Sequence, residues 1–331
     1  MGKQRKVSVV TGAAGHVGGN LIRSLLKRGD LVRVLIHRDF RAIDGLDVET
    51  VEGDVGNPSE LENAFDGADV VYHGAGFISL LLKSRGLLQK INIEGVRNVV
   101  NTCLKCRVKR LMHFSSIHAH RQEPLDEFVD EERPFVRDSR WAPYDYSKAM
   151  GEREVRKGIE RGLDAVILNP TGIIGPWDFK PSHTGDAIIR MATGRLPALV
   201  RGGFDWVDVR DVVSAAIKAE ETADSGSKYL LSGHWVSVED MAIFVNKITG
   251  VKIPKFVAPL WLAQIGVPFI GAWAALTRTR PLYTTVSLMA LRGNHHVSHA
   301  KATHDLEYHP RPFKDTIRDT VKWFQDAGYI S

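Results

Sequence analysis

Short apolar, β-branched runs recur through the first 115 residues, at Val7–Val10, Val32–Ile36, Val48–Val51, Val70–His73 and Arg110–Phe114. Each run has strand length and predicts a strand. Segments 17–28, 60–66 and 87–106 carry apolar residues at helical spacing, and their lengths suit crossovers between parallel strands. The alternation predicts an α/β fold with a doubly wound parallel sheet. After Phe114 a loop rich in Glu, Asp and Arg runs to about Arg140, followed by a helix over 145–161 and a strand at Ala165–Asn169. From Pro170 onward Gly, Pro and Trp become frequent and the alternation weakens. The pattern therefore predicts a first unit over 1–169. A smaller, interleaved C-terminal lobe over 170–331 follows, with some segments returning to the first unit. No internal repeat or low-complexity tract appears.

Composition narrows the class. With 331 residues, 44% hydrophobic and 25% charged, the chain is globular, and disorder, collagen-like repeats and coiled coil are excluded as its main architecture. The net charge of +5 comes without a long Lys/Arg run, which argues against nucleic acid as a partner. Cys103 and Cys106 form a lone C-x-x-C. It lacks the context of a redox pair and the further ligands of a zinc site, so a reducing compartment is expected. The apolar stretch after the basic residues Met1–Lys6 is too short for a signal peptide, and Lys6 breaks the myristoylation pattern; the expected location is cytoplasmic.

Phe256–Leu276 is uncharged over 21 residues and flanked by Lys252, Lys255, Arg278 and Arg280, but Pro259, Gly266, Pro268 and Gly271 interrupt it. The interruptions predict two short helices packed over a substrate pocket. Weak contact with a membrane surface through 256–276 is the alternative, and a true span is set aside.

The first strand runs into Thr11-Gly12-Ala13-Ala14-Gly15-His16-Val17-Gly18, where the first helix begins. Glycines spaced G-x-x-G-x-x-G at a strand-to-helix turn let backbone N–H groups and a helix N-terminus meet a pyrophosphate. Gly12, Ala14, Gly15, His16 and Val17 are thus candidate dinucleotide contacts, and the 1–169 unit is predicted to be a dinucleotide-binding Rossmann domain. The second strand ends in His37-Arg38 where NAD users carry an acid for the ribose 2′-hydroxyl. Arg38 suits a 2′-phosphate, so NADP(H) is preferred and NAD(H) is the alternative. After the third strand, Asp54 and Val55 face the adenine end, Asp54 as an acceptor for the adenine amino group.

Tyr144 and Lys148 stand four apart at the start of the 145–161 helix, on one face. A phenol becomes a working acid/base at neutral pH when a neighbouring cation favours the phenolate, and the same ammonium can bind ribose hydroxyls. Ser115-Ser116 end the strand at Arg110–Phe114, at the carboxyl edge where such sheets bind ligands. A hydroxyl there can hold a substrate oxygen beside Tyr144.

These residues, with GDV at 53–55, HGAG at 73–76, Asn92-x-x-Gly95, FSS at 114–116, YDYSK at 144–148 and NPTGIIGP at 169–176, resemble the extended short-chain dehydrogenase/reductase superfamily of NAD-dependent epimerase/dehydratase type. Within it the chain is most similar to the dihydroflavonol-reductase-like, hopanoid-associated sugar epimerase and 3β-hydroxysteroid dehydrogenase branch. The resemblance implies Tyr144 as general acid/base, Lys148 as its partner and ribose ligand, and Ser116 as the substrate-oxygen donor, with Ser115 as runner-up. It also implies Asn92 as a proton-relay or helix-bend residue and Gly74, Ala75 and Gly76 beneath the cofactor. Pro170 and Ile173 would lie near the nicotinamide, and two copies would pair through helices 87–106 and 145–161.

Two enzymes use this machinery: an NADP(H) reductase or dehydrogenase, and a nucleotide-sugar epimerase with tightly held NAD. Three features favour a carbonyl–alcohol oxidoreductase acting on a fairly apolar substrate. His37-Arg38 suits NADP(H). Phe77, His118, Trp177, Phe179 and Trp206 are expected to line a pocket with Ser116 and Tyr144. Phe204, Trp261, Phe269 and Trp273 add further aromatic surface. Arg190, Arg195 and Arg201 are the candidate diphosphate clamps for the epimerase. A cofactor-sensing, non-catalytic Rossmann protein is a third reading, disfavoured because Tyr144 and Lys148 are both present. His295, His296 and His299 lack an acidic ligand set, so no metal is expected.

Overall fold

The computed structural model describes residues 5–79, 84–138, 140, 142–196, 198–254, 256–277 and 283–330. The strands of the first unit are β1 (Val7–Thr11), β2 (Leu31–Ile36), β3 (Glu49–Glu52), β4 (Val70–His73), β5 (Arg110–Phe114) and β6 (Ala165–Pro170). With β10 (Lys228–Leu231) they form one seven-stranded sheet in the order β10-β6-β5-β4-β1-β2-β3, parallel at every pairing. The sheet is a Rossmann-type α/β sheet, and its order reverses at β1, so the carboxyl ends of β1 and β4 flank the crevice that such sheets use for ligands.

Helices cover both faces. On one side α1 (His16–Arg28), α7 (Val209–Thr222) and α11 (Ala300–Leu306) bury Leu21, Ile22, Leu25, Val212, Ala216 and Leu306. On the other, α2 (Pro58–Phe65), α4 (Val96–Lys105) and α5 (Pro143–Glu160) bury Leu61, Phe65, Val99, Val100 and Val155. Thus α7, α11 and β10 come from the C-terminal half but complete the first sheet.

The rest of that half packs on a separate core of Ile188, Met241, Ile317 and Phe324, built from α6 (His183–Ala192), α8 (Val238–Thr249) and α12 (Phe313–Asp326). Here β7 (Gly172–Ile174), β9 (Gly203–Asp208) and β11 (His234–Ser237) form a three-stranded sheet, and β8 (Leu199–Val200) pairs with β12 (Val257–Ala258). The helix α10 (Thr285–Ala290) lies beside α9 (Leu260–Thr277).

Two expectations are corrected. The 87–106 helix is broken into α3 (Arg85–Gln89), a π-helical turn at Lys90–Gly95, and α4. The widened turn is held by contacts that helical periodicity does not reveal: Gly95 has no room for a Cβ, which would stand 2.8 Å from Val55 Cγ2, and Gly151 of α5 sits where a Cβ would be 2.3 Å from the Asn92 carbonyl oxygen. Segment 256–276 is not two short helices, because α9 runs continuously with Pro268 inside it. Proline removes one helical donor, leaving the Gln264 carbonyl for water; Gln264 is exposed, so the cost is small there. Trp261 and Phe269 are 61% and 75% exposed rather than lining a pocket. The Trp273 side chain, Lys255, Arg278 and Arg280 lie outside the described residues. Among the described residues no helix is long and apolar enough to cross a membrane.

Candidate active site

At the cofactor end the main chain leaves no spare volume. Gly12 has φ +76°, a left-handed conformation that glycine adopts freely, and a Cβ on it would stand 2.5 Å from the Gly74 carbonyl carbon. A Cβ on Gly18 would stand 2.2 Å from the Gly12 oxygen. The Gly15 N–H donates to the Gly12 carbonyl at 2.9 Å, and α1 then starts at His16 with no side-chain cap and no acid in its first turn. Its N-terminal N–H groups suit an anion. The His16 ring contacts the Pro176 carbonyl at 3.0 Å.

Arg38 is exposed and makes no ion pair among the described residues. The acid next to it is already engaged: Arg41 Nη2 lies 2.7 Å from Asp39 Oδ2. The Arg41 hydrogen bonds outweigh partial burial and hold the Asp39 carboxyl below its usual range, with Lys180 adding positive charge. The Asp54 carboxylate accepts from Gly56 N at 2.7 Å. Val55 is buried against the π turn, and its carbonyl accepts from Asn98 at 3.0 Å.

Two of the candidate catalytic side chains, Asn92 and Lys148, meet over Gly76. Lys148 Nζ would be 3.8 Å and Asn92 Oδ1 3.5 Å from a Cβ built there, and Ala75 N donates to Thr11 Oγ1. Asn92 accepts from Phe77 N at 2.8 Å and donates to Phe77 O and Ser147 Oγ at 2.9 Å each. Ser147 in turn donates to the Tyr144 carbonyl at 2.7 Å. The π turn thereby ties the Gly74–Phe77 segment to the first turn of α5.

Tyr144 is buried, and the Ser116 hydroxyl, which accepts from His118 N at 3.2 Å, acts on its phenol. Burial pushes the phenol pKa up, Ser116 opposes this, and the Asp145 charge adds to the rise. Lys148 donates to the Phe114 carbonyl at 2.9 Å. Burial brings its ammonium down to about 8, while Glu152 works in the opposite direction. Ser115 Oγ, the alternative donor, is buried without a hydrogen-bond partner among the described residues, whereas Ser116 Oγ accepts from His118 N.

Aromatic rings continue outward from Tyr144. His118 meets it edge-on at 5.6 Å and stacks on Phe204 at 5.6 Å, and Phe204 lies 5.4 Å from Trp206. Trp206 covers Gly172, next to Ile173, where a Cβ would be 2.7 Å from its ring. His118 Nδ1 lies 3.2 Å from Asp145 Oδ1. Burial disfavours the imidazolium, but the Asp145 carboxylate outweighs it and raises the His118 pKa.

Trp177 and Phe179 do not join this wall, contrary to expectation. At Trp177 the backbone turns back through φ +67°, and its ring packs on Arg23 of α1 at 4.4 Å while Phe179 meets Trp323 at 5.3 Å. Arg190 is paired with Asp186 at 2.8 Å, and Arg195 and Arg201 are exposed. Of the C-terminal histidines, His295 lies tilted against Trp235 at 4.3 Å and 6.5 Å from the His296 ring, while His299 Nδ1 contacts Thr303 Oγ1 at 2.8 Å.

Sequence reasoning missed a buried polar support. Asn169 at the end of β6 donates to the Ser116 carbonyl at 3.0 Å and to Glu152 Oε2 at 2.9 Å, and Glu152 is fully buried. A signal was present, because Glu152 repeats the four-residue step from Tyr144 to Lys148 and so shares their face.

The profile of the NAD dependent epimerase/dehydratase family matches residues 8–232. The chain is 33% identical to sterol demethylase protein B of Methylococcus capsulatus, covering 98% of this chain and 99% of that protein. It is 31% identical to a putative dihydroflavonol 4-reductase of Synechocystis, covering 97% and 95%. Among solved structures, gox2253 superposes with a TM-score of 0.85 at 31% identity, covering 99% and 100%.

Proposed function

Because the chain belongs to the NAD-dependent epimerase/dehydratase family, we propose that it is a cytoplasmic NADP(H)-dependent oxidoreductase. It interconverts a carbonyl and a secondary alcohol on a fairly apolar small molecule. The observation that carries this reading is that buried Tyr144 meets His118 edge-on at 5.6 Å, where Ser116 Oγ accepts from His118 N at 3.2 Å, at the foot of the His118, Phe204 and Trp206 wall. A flat or fused-ring substrate suits such a surface, and the names of the two relatives, a sterol demethylase protein and a dihydroflavonol reductase, point the same way.

A dinucleotide fits the residues present. At Gly12 and Gly18 main chain packs on main chain, and the uncapped start of α1, with no acid in its first turn, offers its N–H groups to a pyrophosphate. Arg38, with Arg41 occupying Asp39, supports NADP(H) over NAD(H). When bound, the nicotinamide supplies or accepts the hydride. Tyr144 gives its proton to the substrate oxygen in reduction and takes it back in oxidation. Ser116 hydrogen-bonds the same oxygen and fixes its distance from the phenol. Lys148 is positive below about pH 8; its charge favours the phenolate as the proton leaves, and its remaining N–H groups serve the ribose hydroxyls. Asn92 positions Phe77 and the start of α5.

The same reading includes a homodimer. A groove of about 460 Å³ lined by Ile93, Arg97, Tyr146, Met150 and Arg153 lies on the outer face of α4 and α5, away from Tyr144 and open to a second copy. Free Cys103 and Cys106 fit a reducing compartment.

The test is to denature the purified protein, identify any released nucleotide, and titrate the stripped protein with NADPH and NADH. The reading expects tighter NADPH binding and, with a ring-fused ketone as substrate, loss of about 10²–10⁴-fold in kcat for Tyr144→Phe. Full turnover in that variant overturns the acid/base assignment. NAD that survives purification favours the nucleotide-sugar epimerase instead.

A further inference from the structure

The helix α9 shows solvent an apolar face. Trp261, Ile265, Phe269 and Leu276 are 61%, 59%, 75% and 78% exposed, and Leu262 is exposed beside them. At 100° per residue these five fall within an arc of roughly 100°. Ala263, Gly266, Val267 and Ile270, half-buried, occupy the opposite side, so the helix is seated on the protein by its small and aliphatic residues and presents its large ones outward. Surface patches of this size and composition mark interaction sites.

Charge identifies the partner. From residue 241 to residue 304 the chain contains seven Lys and Arg and no Asp or Glu. This segment alone is +7, and the remainder of the chain is −2 within the total of +5. The whole positive excess is therefore gathered in the segment that carries the exposed apolar helix. Two copies meeting on this face would bring two +7 segments together, which disfavours self-association there. Nucleic acid supplies the negative charge but nothing to cover the apolar stripe. An anionic lipid bilayer supplies both, with headgroup phosphates for the cations and acyl chains for the Trp, Ile, Phe and Leu side chains.

We propose that this protein docks on an anionic bilayer surface with α9 lying in the plane of the headgroups. The orientation has a consequence for the site. The strand β12, which leads into α9, pairs with β8, and β8 is followed within three residues by β9. On the far side, Leu291 after α10 packs on Gly202, immediately before β9. The docking helix is thus fastened at its start, through β12 and β8, to the root of the strand that carries Phe204 and Trp206, and α10, which lies beside it, leads to Leu291 at the same root. The strand that carries the aromatic wall is thereby coupled to the docking helix, and the acyl chains would supply an apolar ring-fused substrate. The substrate link rests on the carbonyl reading above, whereas the docking itself does not.

The experiment is flotation of the full-length protein with vesicles of phosphatidylcholine alone or with about a third phosphatidylglycerol, without nucleotide or substrate. The proposal expects flotation with the anionic vesicles that weakens at high salt, and binding weaker by about tenfold or more in Ile265→Asp/Phe269→Asp. Melting temperature and NADPH affinity report whether that variant folds, and Phe269→Ala, expected to weaken binding by a smaller factor, is the gentler replacement. No flotation of the wild type with either vesicle, or unchanged flotation of folded variants, overturns it. So does a dimer that these variants dissociate, since a second copy would then cover the face. Docking in a protein that turns over no carbonyl substrate would leave this proposal standing and remove the functional one.

Discussion

The two ends of the groove are built by opposite means. At the cofactor end the shape is set by main chain, packed so closely that a Cβ added at Gly12 or Gly18 would fall 2.2–2.6 Å from backbone atoms. At the substrate end the shape is set by side chains, His118, Phe204 and Trp206, whose rings meet at 5.4–5.6 Å. Backbone cannot retreat without moving β1 and α1, while rings can tilt and repack. The first end therefore specifies one ligand geometry, and the second tolerates a class of ligands.

The comparison is broken most directly at Gly18. A methyl group in Gly18→Ala collides with the Gly12 carbonyl, so nucleotide affinity should fall on the order of 100-fold or more by calorimetry. Near-normal affinity would show that the turn is not rigid. At the other end, Phe204→Ala should be graded. With one ring lost beside His118 and none of the reacting groups touched, KM should rise about tenfold with kcat changed much less. A collapse of kcat instead would make Phe204 part of the positioning of Tyr144.

Between the two ends stands Lys148, and Glu152 tests how it is held. Glu152 raises the Lys148 pKa against the effect of burial, so Glu152→Gln should move the alkaline limb of the kcat/KM profile to lower pH. A purely structural role would lower the profile without moving its midpoint.

Three buried histidines bear on stability rather than on turnover. Burial, with the charge of Lys148 adding to it, pushes His73 down to about 3. Burial with Lys228 and Arg156 does the same to His120, and His113, stacked on His73 at 5.3 Å, is lowered too. Each stays neutral when folded but gains a proton near pH 6.5 when unfolded. Between about pH 6.5 and 3 the unfolded chain binds more protons, so stability falls as pH falls, by about 1 kcal/mol per pH unit for each histidine. Urea unfolding at pH 7 and pH 5 measures this, and a flat profile contradicts the buried, neutral assignment.

What the sequence determined by itself is the part governed by local rules. The period of the apolar residues placed every strand of the first sheet up to β6 to within one or two residues. The spacing of glycines after β1 identified the dinucleotide turn, because a tight turn and a helix N-terminus are properties of consecutive residues. The four-residue step from Tyr144 to Lys148 placed both on one face, because helix geometry is local. Tertiary structure decided whatever depends on residues far apart in the chain. It bound Asn169 to both the Ser116 carbonyl and Glu152 and widened the helix at Asn92 where Gly151 approaches. It turned Trp177 and Phe179 toward Arg23 and Trp323 instead of the pocket. It also left α9 whole and its large side chains facing outward. In each case the outcome is a competition among surfaces for burial, and an aromatic residue or a proline carries no local mark of which surface it will meet.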